Sequence, residues 1–205
     1  MTRLLVENAR LGYADKVICP GVDLEIPDGQ FTVIVGPNAC GKSTLLKSLT
    51  RLIAPQEGQI LLDGQSLHKK PTKEVAREVG LLPQGPVAPD GIRVIDLVSR
   101  GRYPHQSLFK PWSREDEQAV KEAMDATGIR ELSGRLVDEL SGGQRQRVWM
   151  AVALAQQTPI LLLDEPTTFL DVNHQVEVLD LLTELNQGSG VTIVMVLHDL
   201  NLAAR

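Results

Sequence analysis

Short apolar runs alternate with helical patterns along most of the chain, which predicts strands joined by helices in a largely parallel sheet. The amino-terminal region instead mixes strands with turns, as at Pro27-Asp28-Gly29. The predicted strands cover 4–10, 17–19, 22–26, 31–35, 59–62, 79–82, 160–163 and 191–197. Helices are predicted over 42–51 and 172–185. We expect the strands over 31–35, 160–163 and 191–197 to be buried, because they are uniformly apolar.

Between about residues 91 and 157 the pattern is helical and shows no convincing strand. Ser113 with Asp116, and Ser141 with Gln144, match the capping box that starts a helix. The first of these helices should end near Thr127. Behind the second box, apolar residues follow the spacing of one helix face: Val148, Ala151, Val152 and Ala155. We therefore predict an α/β core that is interrupted by an α-helical lobe.

Composition narrows the possible functions of this 205-residue chain. Its net charge of −5 argues against non-specific binding of nucleic acid, which needs a basic face. Two cysteines, Cys19 and Cys40, form no disulfide framework and fit a reducing cytosol. The longest uncharged apolar run, 191–197, is too short for a membrane span of about 20 residues. A membrane role would have to come through a partner.

A glycine-rich segment between a predicted strand and a predicted helix matches the phosphate-binding P-loop. Its glycines let backbone N–H groups converge on phosphate oxygens, and the helix N-terminus favours negative charge. Lys42 supplies a cation for the β- and γ-phosphates, and Ser43 a hydroxyl for Mg²⁺. The loop residues expected to bind ATP are Gly36, Pro37, Asn38, Ala39, Cys40, Gly41, Lys42, Ser43 and Thr44. Cys40 is either a small filler there or a thiol whose alkylation blocks nucleotide binding.

The apolar strand over 160–163 ends in two carboxylates, Asp164 and Glu165. We expect Asp164 to hold Mg²⁺ through water or through Ser43. Glu165 precedes Pro166, which favours an extended backbone at 165. That backbone would direct the Glu165 carboxylate away from Asp164, toward a water that attacks the γ-phosphate. An acidic turn without chemistry is the alternative.

The sequence Leu140-Ser141-Gly142-Gly143-Gln144 predicts a second anion-binding helix N-terminus. One γ-phosphate does not need two such sites from one chain. Two chains related by a two-fold axis would use both, each completing the site of the other. The same residues also fit an ordinary helix cap, and the two interpretations are compatible.

Together with Gln84, Asp171 and His198, these motifs resemble ATP-binding cassette (ABC) ATPases in their order and over nearly the whole chain. The resemblance implies a P-loop NTPase core of ABC type with an amino-terminal antiparallel β region. It implies one ABC ATPase domain over 1–205, with a RecA-like core and β region over about 1–90 and 158–205 and a helical lobe over about 91–157. It also implies that the chain binds ATP and Mg²⁺.

The resemblance implies a role for each of five further side chains. Glu165 resembles the catalytic glutamate, Gln84 the glutamine that reaches Mg²⁺ and the lytic water, and His198 the histidine that contacts the γ-phosphate. Asp171 resembles the aspartate that joins the two sites across the dimer, and Tyr13 the aromatic that stacks on adenine. The alternatives are a surface aromatic for Tyr13, a structural histidine for His198 and a turn residue for Gln84.

Three segments resemble bacterial importers of ferric siderophores, with haem or cobalamin importers as the close alternative: Gly101-Arg-Tyr-Pro-His105, Lys110-Pro-Trp112, and Thr167-Thr-Phe-Leu-Asp171 followed by His174-Gln175. The resemblance implies a peripheral homodimer on the cytoplasmic face of the cell's inner membrane. Its partners would be integral-membrane permease subunits and an outer substrate-binding protein, with no nucleic acid. Residues 91–112 would dock a coupling helix of the permease, and a solvated surface is the alternative there.

Two other functions stay open. A non-transport ABC ATPase would act on DNA or ribosomes, which the acidic charge of this chain disfavours. A truncated, non-hydrolysing module would pair with a full cassette. The resembling proteins continue well past the segment of His198, so we expect the carboxyl-terminal part of the family domain to be missing here and the 205-residue form to be a fragment or less stable.

Overall fold

Two four-stranded β-sheets hold the strands of the chain, and the structure, a computed structural model, describes residues 2–107, 112–168 and 170–198. The strands in these ranges are β1 (Thr2–Tyr13), β2 (Lys16–Pro27), β3 (Phe31–Val35), β4 (Glu57–Leu62), β5 (Gln65–Ser66), β6 (Val79–Leu82), β7 (Ile160–Asp164) and β8 (Thr192–Leu197). The α-helices are α1 (Lys42–Leu49), α2 (Thr72–Glu78), α3 (Val94–Ser99), α4 (Arg114–Ala126), α5 (Gly142–Ala155) and α6 (Val172–Ser189). Short 3₁₀ segments cover Leu67–Lys69, Arg100–His105, Arg130–Leu132 and Val137–Glu139.

The first sheet is antiparallel, with the strand order β2-β1-β4-β5. The separate strands predicted over 17–19 and 22–26 are one continuous strand, β2. Pro20 lies inside it, which is tolerated because β2 is an edge strand and its register with β1 shifts at several points. Helix α2, which buries only Val75, was not predicted because one apolar residue gives no periodic pattern.

The second sheet is parallel, with the order β3-β8-β7-β6, and this confirms the predicted α/β class. Every residue of β7 and β8 is buried, as predicted. The prediction of burial was wrong for β3, where Val35 is 44% exposed and the other residues are half-buried. The reason is position, because β3 lies at the edge of this sheet among the described residues.

The carboxyl ends of the four parallel strands meet at one edge of the second sheet. The P-loop follows β3, Gln84 comes shortly after β6, Glu165 follows β7 and His198 follows β8. Segments that are distant in sequence are therefore brought to one place, which is where open α/β sheets bind their ligands.

The helical segment between β6 and β7 has its own apolar cluster, formed mainly by α3, α4 and α5. Both predicted capping boxes are confirmed, at Ser113 for α4 and at Ser141 for α5. Helix α5 also contributes Met150 and Ala153 to the cluster beneath β7 and β8. One rigid helix thus packs against both the helical segment and the parallel sheet. No helix in the described ranges is long and apolar enough to cross a membrane.

Candidate functional site

The predicted P-loop lies between the carboxyl end of β3 and the first turn of α1. Gly41 has a φ of 105°, and a Cβ there would lie 2.4 Å from Cys19 Sγ, so a glycine is required. Lys42 is buried, and its Nζ donates to the carbonyl oxygens of Gly36 at 2.8 Å and Pro37 at 2.9 Å. The two hydrogen bonds of the Lys42 ammonium group therefore hold the P-loop backbone in a curve around the Lys42 side chain.

A cleft of about 590 Å³ opens beside this loop, a size typical of ligand sites. Its lining comes from β2, the P-loop and three other strand ends: Lys16, Ile18, Asn38, Ala39, Gly41, Lys42, Ser43, Thr44, Gln84, Glu165 and His198. Most of the predicted phosphate-binding and catalytic residues are thus brought together. Lys16 and Ile18 were not predicted, because the sequence gives no signal for which part of the antiparallel sheet lies against the loop.

Two predicted catalytic side chains, Gln84 and His198, contact a third, Glu165, at the carboxyl ends of the parallel strands. Gln84 Nε2 donates to Glu165 Oε2 at 2.8 Å, and His198 Nε2 contacts Glu165 Oε1. The Thr168 hydroxyl is a longer neighbour, 3.4 Å from the same Oε2. Both carboxylate oxygens of Glu165 therefore have partners within the chain.

The backbone of Glu165 corrects one prediction. It is left-handed, with a φ of 54°, whereas the proline that follows predicted an extended conformation. Such a conformation costs a non-glycine residue about 1–3 kcal/mol. Two hydrogen bonds hold it: the Glu165 N–H donates to Val196 O on β8 at 3.2 Å, and Glu165 O accepts from the Thr168 N–H at 3.2 Å. Tertiary hydrogen bonds have outweighed the local preference.

Asp164 ends β7 as a buried carboxylate next to the P-loop. Burial raises the pKa of Asp164, and the nearby charge of Glu165 raises it further. The hydrogen bond from Ser43 and the charges of Lys47 and Lys42 oppose this rise. Asp164 Oδ1 has no hydrogen-bond partner among the described residues. A buried carboxylate oxygen without a partner, beside a hydroxyl, suits a hard cation such as Mg²⁺, which binds one or two carboxylates and keeps several waters.

The segment Ser141–Gln144 starts α5, with Ser141 and Gly142 exposed, and none of its residues lines the cleft of its own chain. Ser141 Oγ accepts from the Gln144 N–H at 3.3 Å, and Gln144 Oε1 accepts from the Ser141 N–H at 3.1 Å. A Cβ on Gly142 would meet no described atom within 4 Å, and one on Gly143 would meet only Leu170 at 3.5 Å. Nothing in the described part of the chain uses the space that Gly142 leaves.

Two more predicted residues lie outside the cleft lining. Tyr13 is 47% exposed and pairs with Lys16 where β1 turns into β2. Asp171 caps α6 and accepts from the His174 N–H at 3.0 Å and from His174 Nδ1 at 2.8 Å. The backbone and side-chain hydrogen bonds from His174 lower the pKa of Asp171.

Two glutamines hold the loop that follows β7, and neither was predicted. Gln146 Nε2 on α5 donates to Pro166 O at 2.7 Å, and Gln175 Nε2 on α6 donates to Leu170 O at 3.0 Å. A helical glutamine carries no sequence signal for such a contact, because its partner is a backbone carbonyl of a distant segment.

An exposed surface of the helical segment carries part of the resemblance to siderophore importers. Tyr103 is 75% exposed and Trp112 is 45% exposed, and Lys73 Nζ lies 5.9 Å from the centre of the Tyr103 ring. Beneath them Arg102 and Asp116 form a buried ion pair at 2.8 Å. The segments predicted around Lys110, Pro111 and Phe169, and residues 199–205, lie partly or wholly outside the described residues.

Comparisons with known proteins agree with these features. The sequence profile of the ABC transporter family matches residues 19–168. Ferric enterobactin transport ATP-binding protein FepC of Escherichia coli (strain K12) is 55% identical over 205 residues, which are 100% of this chain and 76% of FepC. Petrobactin import ATP-binding protein FpuD of Bacillus anthracis is 56% identical over 202 residues, 98% of this chain and 74% of FpuD. The dimeric post-hydrolysis structure of the ATP-binding cassette MJ0796 with ADP and Pi superposes with a TM-score of 0.86 at 28% identity, covering 98% of this chain and 90% of that one.

Proposed function

Because the chain belongs to the ABC transporter family, as one of its ATP-binding ATPases, we propose that it powers the import of ferric siderophores across the bacterial cytoplasmic membrane. One observation carries the chemical part of this proposal. The carboxylate of Glu165 lies in the same cleft as the P-loop, in contact with Gln84 and His198. We also propose the division into a core over about 1–90 and 158–205 and a helical lobe over about 91–157.

The P-loop binds the phosphates of ATP. Residues Gly36, Pro37, Asn38, Ala39, Cys40, Gly41, Ser43 and Thr44 surround them, and the buried Lys42 ammonium, which donates to two carbonyl oxygens of its own loop, supplies the cation for the β- and γ-phosphates. Tyr13, at the end of the adjacent hairpin, stacks on the adenine. ATP thus spans the cleft from the antiparallel sheet to the ends of the parallel strands.

Glu165 is the general base of hydrolysis. One of its carboxylate oxygens accepts a proton from water as the water oxygen attacks the γ-phosphorus, and the bond to the β–γ bridging oxygen breaks to give ADP and phosphate. Gln84 orients this water, and His198 contacts the γ-phosphate. Both side chains contact the Glu165 carboxylate, which keeps the three groups together at the site of hydrolysis.

The residues around Asp164 fit Mg²⁺. Asp164, Ser43 and Gln84 would hold the ion, and Asp164 offers the buried oxygen that has no partner among the described residues. When bound, Mg²⁺ neutralises the charge that develops on the phosphate oxygens.

Two chains complete one another's sites. Ser141, Gly142, Gly143 and Gln144 of one chain contact the γ-phosphate in its partner, with the space beside Gly142 occupied by that phosphate. Asp171 lies in the loop that joins the two sites across the dimer. The dimeric form of the MJ0796 cassette, which shares this fold, supports the arrangement.

The dimer acts as a peripheral subunit on the cytoplasmic face of the membrane. Its exposed surface at Tyr103 and Trp112 docks the permease, which receives cargo from an outer substrate-binding protein. The names of FepC and FpuD, both more than half identical to this chain, support a ferric siderophore as that cargo rather than haem or cobalamin.

Dimer closure is tested with Glu165→Gln, which removes the base and keeps the ATP site. Size exclusion with light scattering should give a monomer alone and a dimer with MgATP. Glu177→Gln, an exposed change on α6, is the control and should show no stable ATP dimer because ATP is turned over. A Glu165→Gln chain that stays monomeric at saturating MgATP would contradict the dimer.

The cargo is tested by uptake in cells that carry the chain with its permease as their only such importer. Lys42→Ala should abolish uptake of radiolabelled ferric siderophore, while Lys121→Ala on the exposed face of α4 should not. Uptake of haem or cobalamin in place of the ferric chelate would reject siderophore import and keep the ATPase.

A further inference from the structure

Helix α5 contacts the segment that follows the proposed catalytic base. Gln146, in the second turn of this helix, donates from Nε2 to Pro166 O at 2.7 Å. Pro166 directly follows Glu165 and has no N–H, so its carbonyl is the only backbone group through which a hydrogen bond can hold it. The partly buried contact therefore fixes the carbonyl group of the residue that follows the base.

The backbone of Glu165 depends on such contacts because its φ of 54° is unfavourable for a residue with a side chain. The Glu165 N–H donates to the Val196 carbonyl of β8, and a second hydrogen bond, from the Thr168 N–H to Glu165 O, closes the turn. Gln175 holds Leu170 at the far side. Between these two points, the side chain of Gln146 holds the segment by its hydrogen bond to Pro166 O, the carbonyl of the residue immediately after Glu165.

The same helix begins at the exposed Ser141 motif. Gln146 lies about 1.4 turns from Ser141, on a helix whose apolar residues pack against both the helical segment and the parallel sheet. A rotation of α5 would therefore move the Ser141 end and pull on Pro166 together. No comparable hydrogen bond joins Ser141 or Gly142 to residues 165–168 within the described chain.

We propose that Gln146 is a positioning residue for hydrolysis: its hydrogen bond to Pro166 sets the orientation of the Glu165 carboxylate and couples it to the position of α5. This rests on the proposed function, in which Glu165 is the base. It adds a link inside one chain between the helix that meets the partner's ATP and the base that acts on the chain's own ATP.

Gln146→Met removes the donor and keeps the length of the side chain. We expect kcat for ATP hydrolysis to fall about 10- to 100-fold, because a catalytic group misplaced by about 1 Å can cost on the order of 10²-fold, with KM for ATP and the Tm nearly unchanged. Gln146→Glu keeps the shape and polarity of the side chain. Its kcat should fall at least as far, because the carboxylate repels the Pro166 carbonyl oxygen. Gln118→Met, an exposed glutamine on α4 that bonds to Glu122, is the matched control and should retain the wild-type rate.

A double-mutant cycle separates positioning from general packing. If Gln146 acts through Glu165, then Gln146→Met added to Glu165→Gln should cause no further loss in single-turnover hydrolysis. The MgATP dimer of Glu165→Gln should also persist. An equal loss in both backgrounds, a wild-type kcat for both Gln146 variants, or a lower Tm with lost ATP binding would overturn the proposal. A wild-type rate for Glu165→Gln alone would instead overturn the catalytic assignment on which it rests.

Discussion

The carboxylate of Glu165 contacts the imidazole of His198 across the ends of two neighbouring parallel strands. The register explains the contact, because Asp164 pairs with Val196 and the next residues leave β7 and β8 at nearly the same level. Gln84 adds a hydrogen bond from beyond β6. The three side chains therefore satisfy one another until a substrate offers other partners.

The rate of ATP hydrolysis should depend strongly on Glu165 and His198. Glu165→Gln should lower kcat about 10²- to 10⁴-fold, because a general base is lost, while the affinity for ATP stays within a few-fold. His198→Ala should also lower kcat. A phosphate-release assay beside a fluorescent-nucleotide titration measures both quantities. If Glu177→Gln, a change at an exposed residue of α6, lowered kcat as much, then the loss in Glu165→Gln could not be attributed to the position of Glu165 in the cleft.

Asp164→Asn should separate stability from activity. A raised carboxyl pKa means that the folded chain binds this proton more tightly than the unfolded chain, so the carboxylate destabilises the fold at neutral pH. Without Mg²⁺ the variant should therefore melt about 2–4 °C above wild type at pH 7, and the difference should shrink as the pH falls toward that pKa. Hydrolysis should fall and should need a higher Mg²⁺ concentration, because one carboxylate ligand of the ion is lost. An equal or lower Tm at pH 7 would contradict the effect of burial.

Two glycines of the helical segment should respond in opposite ways to alanine. A Cβ on Gly101 would lie 2.5 Å from Val152 O, whereas one on Gly142 would meet no described atom within 4 Å. Gly101→Ala should therefore lower the Tm. Gly142→Ala should keep it or raise it slightly, since alanine favours a helix, yet should abolish dimer formation with MgATP in the Glu165→Gln background. Normal dimers from Gly142→Ala would reject the trans site.

Breaking the buried pair of Arg102 and Asp116 should destabilise the helical segment strongly. Arg102→Met leaves the buried Asp116 carboxylate without its cation and should cost about 3–5 kcal/mol. Adding Asp116→Leu should recover only part of the loss, because it also removes the capping box of α4 while Ala155 O still lacks its Arg102 donor. Chemical denaturation measures both free energies of unfolding. A small loss for the single variant would show that water reaches the pair.

The same pair predicts a pH dependence. Burial alone would raise the pKa of Asp116, but the hydrogen bonds from Arg102 and Ser113 lower it below its usual value. The stability that it contributes is present above about pH 4 and is lost as the pH falls through the lowered pKa. Asp116→Asn should lack this acid-sensitive component in a series of melts. A parallel decline in wild type and variant below pH 4 would assign the effect to other groups.

Alkylation should distinguish the two cysteines. Cys40 is exposed, with its Sγ 4.0 Å from Lys42 Nζ, whereas Cys19 is buried. Burial raises the pKa of Cys19, and the neighbouring Cys40 raises it further, which slows its reaction. A maleimide should label Cys40 first and block ATP binding, and MgATP should protect it. Mass spectrometry locates the label, and full ATP binding after complete labelling of Cys40 would contradict the placement.

The positions of most strands along the chain and most of the cleft residues could be predicted because they rest on local signals. The P-loop needs glycines at fixed positions, and both capping boxes need a serine three residues before an acid or amide. The uniformly apolar strands β7 and β8 are buried as expected. The ends of parallel strands then converge whatever lies between them in sequence.

The parts that could not be predicted depend on contacts between distant segments. Pro166 predicts an extended backbone at Glu165, but the backbone there is left-handed. The hydrogen bond to the Val196 carbonyl that holds it comes from a distant strand and leaves no signal in the local sequence. The apolar pattern of β3 could not reveal that it lies at a sheet edge. Gln146 and Lys16 enter the site only through tertiary packing.

The two carbonyl contacts of Lys42 also bear on the heat of nucleotide binding. An arriving phosphate replaces hydrogen bonds that already exist, so titration calorimetry would register a difference of bond enthalpies rather than their sum. Such a loop gives up little conformational freedom when it is filled, because its shape is set beforehand. Much of the affinity of the chain for ATP should then come from the water and counterions that the triphosphate releases.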